Sequence, residues 1–107
     1  MLDLCAGYDA HWADPLAGLQ FEARTYGMLC QRTAALADEL CQGRCVWILE
    51  GGYDAASLSE SVVSSLSAVL SGNESSCVQQ RQPPLREEPL SKLQAVLDQV
   101  AQLHGLN

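Results

Sequence analysis

The sequence predicts an α/β protein built on an open parallel sheet with flanking helices, of which this chain carries one end. Three observations predict it. Two short apolar runs, Leu2–Ala6 and Cys45–Leu49, are each succeeded by a loop containing Gly and Asp and then by a stretch of helical period. Strands that alternate with helices are joined by crossover connections and run parallel. Two strands are too few for a parallel sheet covered on both faces, so the rest of the sheet is expected from polypeptide outside this sequence.

Residues 2–6 read as a buried strand. Residues 7–18 hold Gly7, Pro15, Gly18 and the polar Asp9, His11 and Asp14, and read as a loop. Between about 19 and 41, Tyr26, Leu29, Thr33, Leu36 and Leu40 recur at helical spacing, with Asp38 and Glu39 off that stripe on a solvated face. Gln42-Gly43 ends this helix. Cys45–Leu49 is a continuous apolar run, as expected of a strand covered on both faces. Glu50-Gly51-Gly52-Tyr53 breaks it. A second helix carries Leu58, Val62, Leu66 and Val69 on one stripe. Ser57 and Glu60 have the spacing of a capping box at its start, and Asp54 competes as N-cap. Residues 71–89 collect Ser, Gly, Asn, Gln and Pro and read as a surface connection. A last amphipathic helix, from about 89 to 104, turns Leu93, Val96, Val100 and Leu103 inward. The expected organisation is thus a main unit over 1–72, a linker over 73–88 and a terminal helical segment over 89–107 that packs on the unit.

The totals narrow the function classes. The 107 residues allow one domain at most, and 48% apolar content is that of a globular chain. A net charge of −7 argues against direct nucleic-acid binding, which needs clustered Lys and Arg to neutralise phosphates, and gives no polybasic membrane signal. No apolar stretch approaches the roughly 20 residues that span a bilayer. The first twenty residues contain no Lys or Arg, so neither a secretory signal nor an Arg-rich transit peptide is visible in them. The five cysteines, Cys5, Cys30, Cys41, Cys45 and Cys77, are odd in number and irregular in spacing, which reads as reduced thiols of an intracellular protein. Cys41 and Cys45 have no further soft ligands at zinc-site spacing.

In an open parallel sheet, ligands bind outside the carboxyl ends of the strands. Two loops leave such ends here, Gly7-Tyr8-Asp9-Ala10-His11 and Glu50-Gly51-Gly52-Tyr53-Asp54. If the strands are parallel, Asp9 and Tyr53 look into one pocket. A carboxylate is a hard oxygen ligand that catalytic zinc accepts. A phenol, with an ordinary pKa near 10, is a poor base at neutral pH but can donate a hydrogen bond to a developing oxyanion. The glycines before it let a substrate approach the backbone. Such a pair suits hydrolysis of an amide or ester. Taken alone, Asp9 reads first as a turn residue after a strand, whereas Tyr53 as a core aromatic at a helix start and Gly51-Gly52 as an ordinary turn explain Glu50-Gly51-Gly52-Tyr53 after a buried strand less well than a functional loop does. His11 reads as a loop residue supporting the site rather than a ligand, and Trp12 and Trp47 as packing residues.

The stretch "AGYDAHWADPLAG" (6–18), taken with "LEGGYD" (49–54), resembles the C-terminal part of the histone deacetylase superfamily, which includes class II histone deacetylases, acetylpolyamine amidohydrolases and acetoin-utilisation proteins. The class II pattern runs Gly-Phe/Tyr-Asp-Ala, Asp-Pro-Leu-Gly-Gly, a helix, then Leu-Glu-Gly-Gly-Tyr. Residues 2–70 match it in order and spacing, and the tail, with Glu87-Glu88-Pro89 and the last helix, is most like plant and algal members. The resemblance implies the C-terminal part of an arginase/deacetylase-type open parallel sheet and zinc-dependent hydrolysis of acetyl-lysine or a related acetyl-amide. It implies Asp9 as a zinc ligand and Tyr53 as the catalytic tyrosine that polarises the acetyl carbonyl. Leu16 would line the channel for the acyl-lysine stem, and Gly51 and Gly52 would form its floor. The implied cofactor is Zn2+, and the implied partners are an acetylated protein or small acetyl-amide and the N-terminal part of the same domain. The family's compartments include nucleus, cytoplasm, chloroplast and mitochondrion.

Two departures stand out. Ala17 replaces a glycine of Asp-Pro-Leu-Gly-Gly. The family's Asp-x-His zinc segment and His-His general base are absent, since the only histidines are His11 and His104. The chain alone is therefore expected to be inert. A non-catalytic chain that pairs through an open strand edge is the competing reading. A two-metal arginase-like hydrolase is a third, disfavoured by Gly-Gly-Tyr.

Overall fold

The computed structural model describes residues 1–71, 81, 83–84 and 90–105. The elements are β1 (Leu2–Gly7), α1 (Ala23–Cys41), β2 (Cys45–Gly51), α2 (Ala55–Ser71) and α3 (Leu90–His104). β1 and β2 pair in parallel, with Leu2 opposite Cys45 and Ala6 opposite Leu49. The α/β topology and the strand directions read from the sequence are thus borne out. Both strands end on the same edge. There the register shifts by one residue, so that Gly7 faces Gly51 and Glu50 is passed over. A bulge of this kind bends the strand and re-aims the residues beyond it.

α1 and α2 pack side by side through small residues. The buried side of α1 is Ala23, Tyr26, Gly27, Cys30 and Ala37. That of α2 is Ser57, Ser61, Ser64, Ser65 and Ala68. Gly27 sets the approach, because a Cβ there would lie 2.7 Å from Ser64 Oγ and 3.2 Å from Ser64 O. Ser65 tolerates burial by bonding within its own helix, its Oγ donating to the Ser61 carbonyl at 2.8 Å.

Close backbone approach corrects the expected core. Of the expected α1 stripe Tyr26 is buried, but Leu29, Leu36 and Leu40 are exposed; of the α2 stripe Leu58, Val62 and Val69 are half-buried and Leu66 is exposed. Where Gly27 meets Ser64 the seam admits small side chains only, and the leucines of α1 fall on flanking faces. β2 is likewise not covered on both sides: Val46, Ile48 and Leu49 are exposed while Trp47 is half-buried. β1 alternates in the same way, with Asp3 and Cys5 exposed between half-buried Leu2, Leu4 and Ala6. Helices cover one face of the strand pair among the described residues.

The helix starts differ from expectation, whereas α1 stops at Gln42-Gly43 as expected. α1 starts at Ala23 rather than near 19, because Trp12 and Phe21 are tied by backbone pairing that extends the preceding loop. At its other end Gln42 itself takes the left-handed conformation (φ 58°), and so does Gly43 (φ 74°), whose N–H reaches the Ala37 carbonyl at 3.0 Å. Asp54, not the Ser57–Glu60 pair, caps α2, its Oδ2 accepting the Ser57 N–H at 2.8 Å. α3 buries none of its residues. Leu93, Val96, Val100 and Leu103, expected to turn inward, are all exposed. Most of the expected linker over 73–88, with Cys77, lies outside the described residues. The four described cysteines carry free thiols, and Cys41 donates its thiol to the Arg44 carbonyl at 3.2 Å within the turn before β2.

Candidate active site

The loop after β1 and the loop after β2 meet at the shared strand edge. Tyr8 N–H continues the pairing by donating to the Gly51 carbonyl at 2.8 Å. The Tyr8 side chain is buried, stacks 4.9 Å from the Tyr26 ring and donates its hydroxyl to Ser65 Oγ at 3.2 Å. That anchors the first loop to both helices and leaves the next residue, Asp9, pointing across the strand ends.

The Asp9 carboxylate rests on two glycines. A Cβ at Gly51 would lie 3.0 Å from Asp9 Cγ and 3.1 Å from each oxygen, and one at Gly7 would lie 3.2 Å from Oδ1. The bulge that sets Gly7 opposite Gly51 thus clears the space the carboxylate fills. Asp9 is half-buried and makes no hydrogen bond or ion pair among the described residues. An oxygen donor with no partner, in a cradle that any side chain would close, fits one ligand position of a metal centre. Among the described residues no group of three or more His, Cys, Asp or Glu is placed to hold a metal ion.

Tyr53 comes two residues after Gly51. The residue is 58% exposed. Its backbone is not free. Tyr53 N–H donates to Asp14 Oδ2 at 2.7 Å, while Leu16 N–H donates to Oδ1 of the same carboxylate at 2.9 Å. Gly52 turns the chain between them at φ 129°, with Leu58 and Tyr8 so close that a Cβ would meet Leu58 Cδ1 at 2.9 Å. Leu16 lies exposed on the first loop. The structure therefore brings Asp9 and Gly51 into direct juxtaposition, packs Gly52 against Tyr8 and Leu58, and fixes the backbones of Tyr53 and Leu16 through one buried carboxylate.

That carboxylate, Asp14, is the residue sequence reasoning missed. Burial alone would raise its pKa. The backbone N–H groups of Tyr53, Leu16, Asp54 and Ala17 outweigh burial and hold it below the usual carboxylate range. The signal was present as Asp-Pro in a turn, where an Asp side chain bonds the backbone two residues on. Tyr26 was missed as a neighbour of the site. Burial first, then the Asp9 charge, pushes its pKa up to about 12, so it stays a neutral phenol. His11 is fully buried, its Nδ1 accepting the Ala13 N–H at 3.1 Å. Burial, helped by Arg81 and opposed by Glu60, Asp54 and Asp14, lowers its pKa and favours the neutral ring.

Asp54 is also held below the usual range, by the Ser57 backbone N–H ahead of Arg81. Both loops thus depend on carboxylates whose folded pKa is depressed. Their stabilisation is complete above the unfolded value, about 3.9, and is lost as the pH falls through the lower folded values. Amide exchange at Tyr53, corrected for its intrinsic rate, is expected to be flat above about pH 5 and to accelerate below about pH 4. Protection unchanged to about pH 2 would show that Asp14 is not what holds the loop.

A histone deacetylase domain model matches residues 2–69, which spans both strands and nearly all of α2. Histone deacetylase 10, chloroplastic, of Oryza sativa subsp. japonica is 49% identical over 102 residues, covering 94% of this chain and 23% of the relative. Histone deacetylase 14, chloroplastic, of Arabidopsis thaliana is 45% identical over 94% of this chain and 24% of its own length. A crystal structure of the HDA15 HD domain superposes with a TM-score of 0.51 at 32% identity, over 64% of this chain and 19% of that one. This chain spans about a quarter of the length of the plant relatives it matches. Since the matched region holds the parallel strand pair, its bulged edge and both loops, the chain belongs to the histone deacetylase domain family.

Proposed function

We propose that this chain contributes one carboxylate and one phenol to a zinc-dependent centre that hydrolyses acetyl-lysine or a related acetyl-amide. The observation that carries the reading is the unpartnered Asp9 carboxylate seated on Gly51, two residues before Tyr53, at one edge of a parallel strand pair. Asp9 would be one ligand, with the others supplied by the N-terminal part of the domain. A zinc ion held there supplies Lewis-acid activation of water and of the acetyl carbonyl. Tyr53 donates its hydroxyl to the carbonyl oxygen as that atom gains charge, and the Gly51-Gly52 backbone and Leu16 flank the acyl-lysine stem. The acetylated partner is a protein or a small amide. Two plant relatives are named chloroplastic, which favours an organelle among the compartments open to the family. No described helix is long and apolar enough to cross a membrane.

Both strands keep one unpaired edge among the described residues, and β2 exposes Val46, Ile48 and Leu49. Those features also fit the second reading, a chain that joins another polypeptide by strand pairing without catalysis. One experiment separates them. The chain is assayed for acetyl-lysine peptide hydrolysis and zinc content, alone and co-produced with the rest of a deacetylase domain. Chelator-sensitive turnover only in the completed domain supports the enzyme reading. A stable complex with no zinc and no turnover supports the pairing reading.

A further inference from the structure

The stretch after α2 carries a residue that the loop geometry makes conspicuous. Arg81 Nε donates to Glu60 Oε1 at 2.9 Å, and its Nη2 donates to Asp54 Oδ2 at 3.3 Å. Its guanidinium carbon stands 5.8 Å from the centre of the Trp12 ring, within cation–π range. One side chain thus touches the first loop through Trp12, the second loop through Asp54 and helix α2 through Glu60. Asp54 is the neighbour of Tyr53 and the cap of α2. Trp12 lies between Asp9 and Asp14 in the loop that receives the Tyr53 N–H.

We propose that Arg81 is a positioning residue for Tyr53, clamping the tyrosine-bearing loop against the aspartate-bearing loop through contacts separate from those of Asp14. Its catalytic consequence rests on the deacetylase reading above, but the clamp itself does not. The guanidinium fork suits the task, because it addresses two carboxylates in one plane and still stacks on an indole, which a lysine ammonium does not do. Each contact is partly exposed and modest singly. Together they act at the end of one short segment, Gly52 to Asp54, whose other end is held by the Tyr53 N–H on Asp14.

The test is site-resolved hydrogen exchange on the full chain, with kcat and KM measured in the completed domain. Arg81→Gln is expected to speed exchange at the Tyr53 and Asp54 amides by about tenfold, with Trp47 in the centre of β2 unchanged. Arg81→Lys recovers only part of the protection, and the charge-swapped pair Glu60→Arg with Arg81→Glu restores part of what Arg81→Glu alone loses. In the completed enzyme Arg81→Gln lowers kcat several-fold with KM little changed, since Tyr53 acts at the reacting carbonyl. Unchanged Tyr53 exchange in Arg81→Gln, or an equal rise throughout β2, overturns the proposal. If the wild-type domain shows no zinc-dependent turnover, the deacetylase reading fails by itself, and the exchange measurements still decide the clamp.

Discussion

Tyr53→Phe is expected to reduce kcat of the completed domain by about 100- to 1,000-fold, the usual loss when one oxyanion donor is removed. The structure isolates this effect well. The Tyr53 side chain is more than half exposed and makes no hydrogen bond or ion pair among the described residues, so the hydroxyl supports nothing in the fold. The loop is held through its backbone, by the Tyr53 N–H on Asp14 and the Asp54 cap on α2, and neither contact involves the phenol. Stability should therefore stay within about 0.5 kcal/mol of wild type. Zinc content should stay the same, and KM should move little, because the donor acts where charge develops rather than on the substrate stem. Steady-state kinetics, zinc analysis and a thermal melt on the same preparation check all three. A rise in KM with kcat intact would move Tyr53 from the reacting atom to the channel wall.

What the sequence disclosed and what it hid divide along physical lines. The strand–helix alternation needed only period and turn residues, and Leu2–Ala6 and Cys45–Leu49 are where β1 and β2 lie. The common edge for Asp9 and Tyr53 came from parallel direction alone. The core was misread because periodicity marks where apolar residues recur, not which face meets a neighbour. In α1 the Leu29–Leu36–Leu40 stripe is the more hydrophobic, yet Gly27 and Ala37 make the contact, since the partner helix offers serines at close range. A small-residue seam has no strong hydropathy signature. Arg81 was invisible for another reason. It is a single polar side chain whose partners lie on segments far apart in sequence, and no local pattern marks such a hub. Asp14 showed only its local half, the Asp-Pro turn that bonds the Leu16 N–H, and not its reach to Tyr53. The β2 bulge at Glu50 was hidden too, because a register shift belongs to a strand pair and not to either strand.

Removing the carboxylate at position 9 should have the second large effect, and the glycines around it allow a graded version. On the proposed reading Asp9→Ala deletes one of the few ligands a catalytic zinc site holds, so zinc in the completed domain should fall well below stoichiometric and turnover should fall with it. Because Asp9 has no bonded partner among the described residues, the loss should not arise from unfolding. Gly51→Ala leaves the ligand in place but sets a Cβ 3.0 Å from its Cγ, closer than van der Waals contact. The carboxylate must shift by a few tenths of an ångström, and displacement by a supporting residue typically costs 10- to 100-fold in metal affinity, roughly the loss expected here. Gly7→Ala meets only one carboxylate oxygen, at 3.2 Å, and should cost less. The order Asp9→Ala, Gly51→Ala, Gly7→Ala in zinc affinity, by competition with a chelator of known strength, is what a ligand cradled by two glycines requires. A turn-forming aspartate would give instead a common loss of stability in all three variants, with the zinc bound by whatever folded fraction remains unchanged. Stoichiometric, tight zinc in Asp9→Ala would remove Asp9 from the ligand set and leave the glycine pair explained by strand geometry alone.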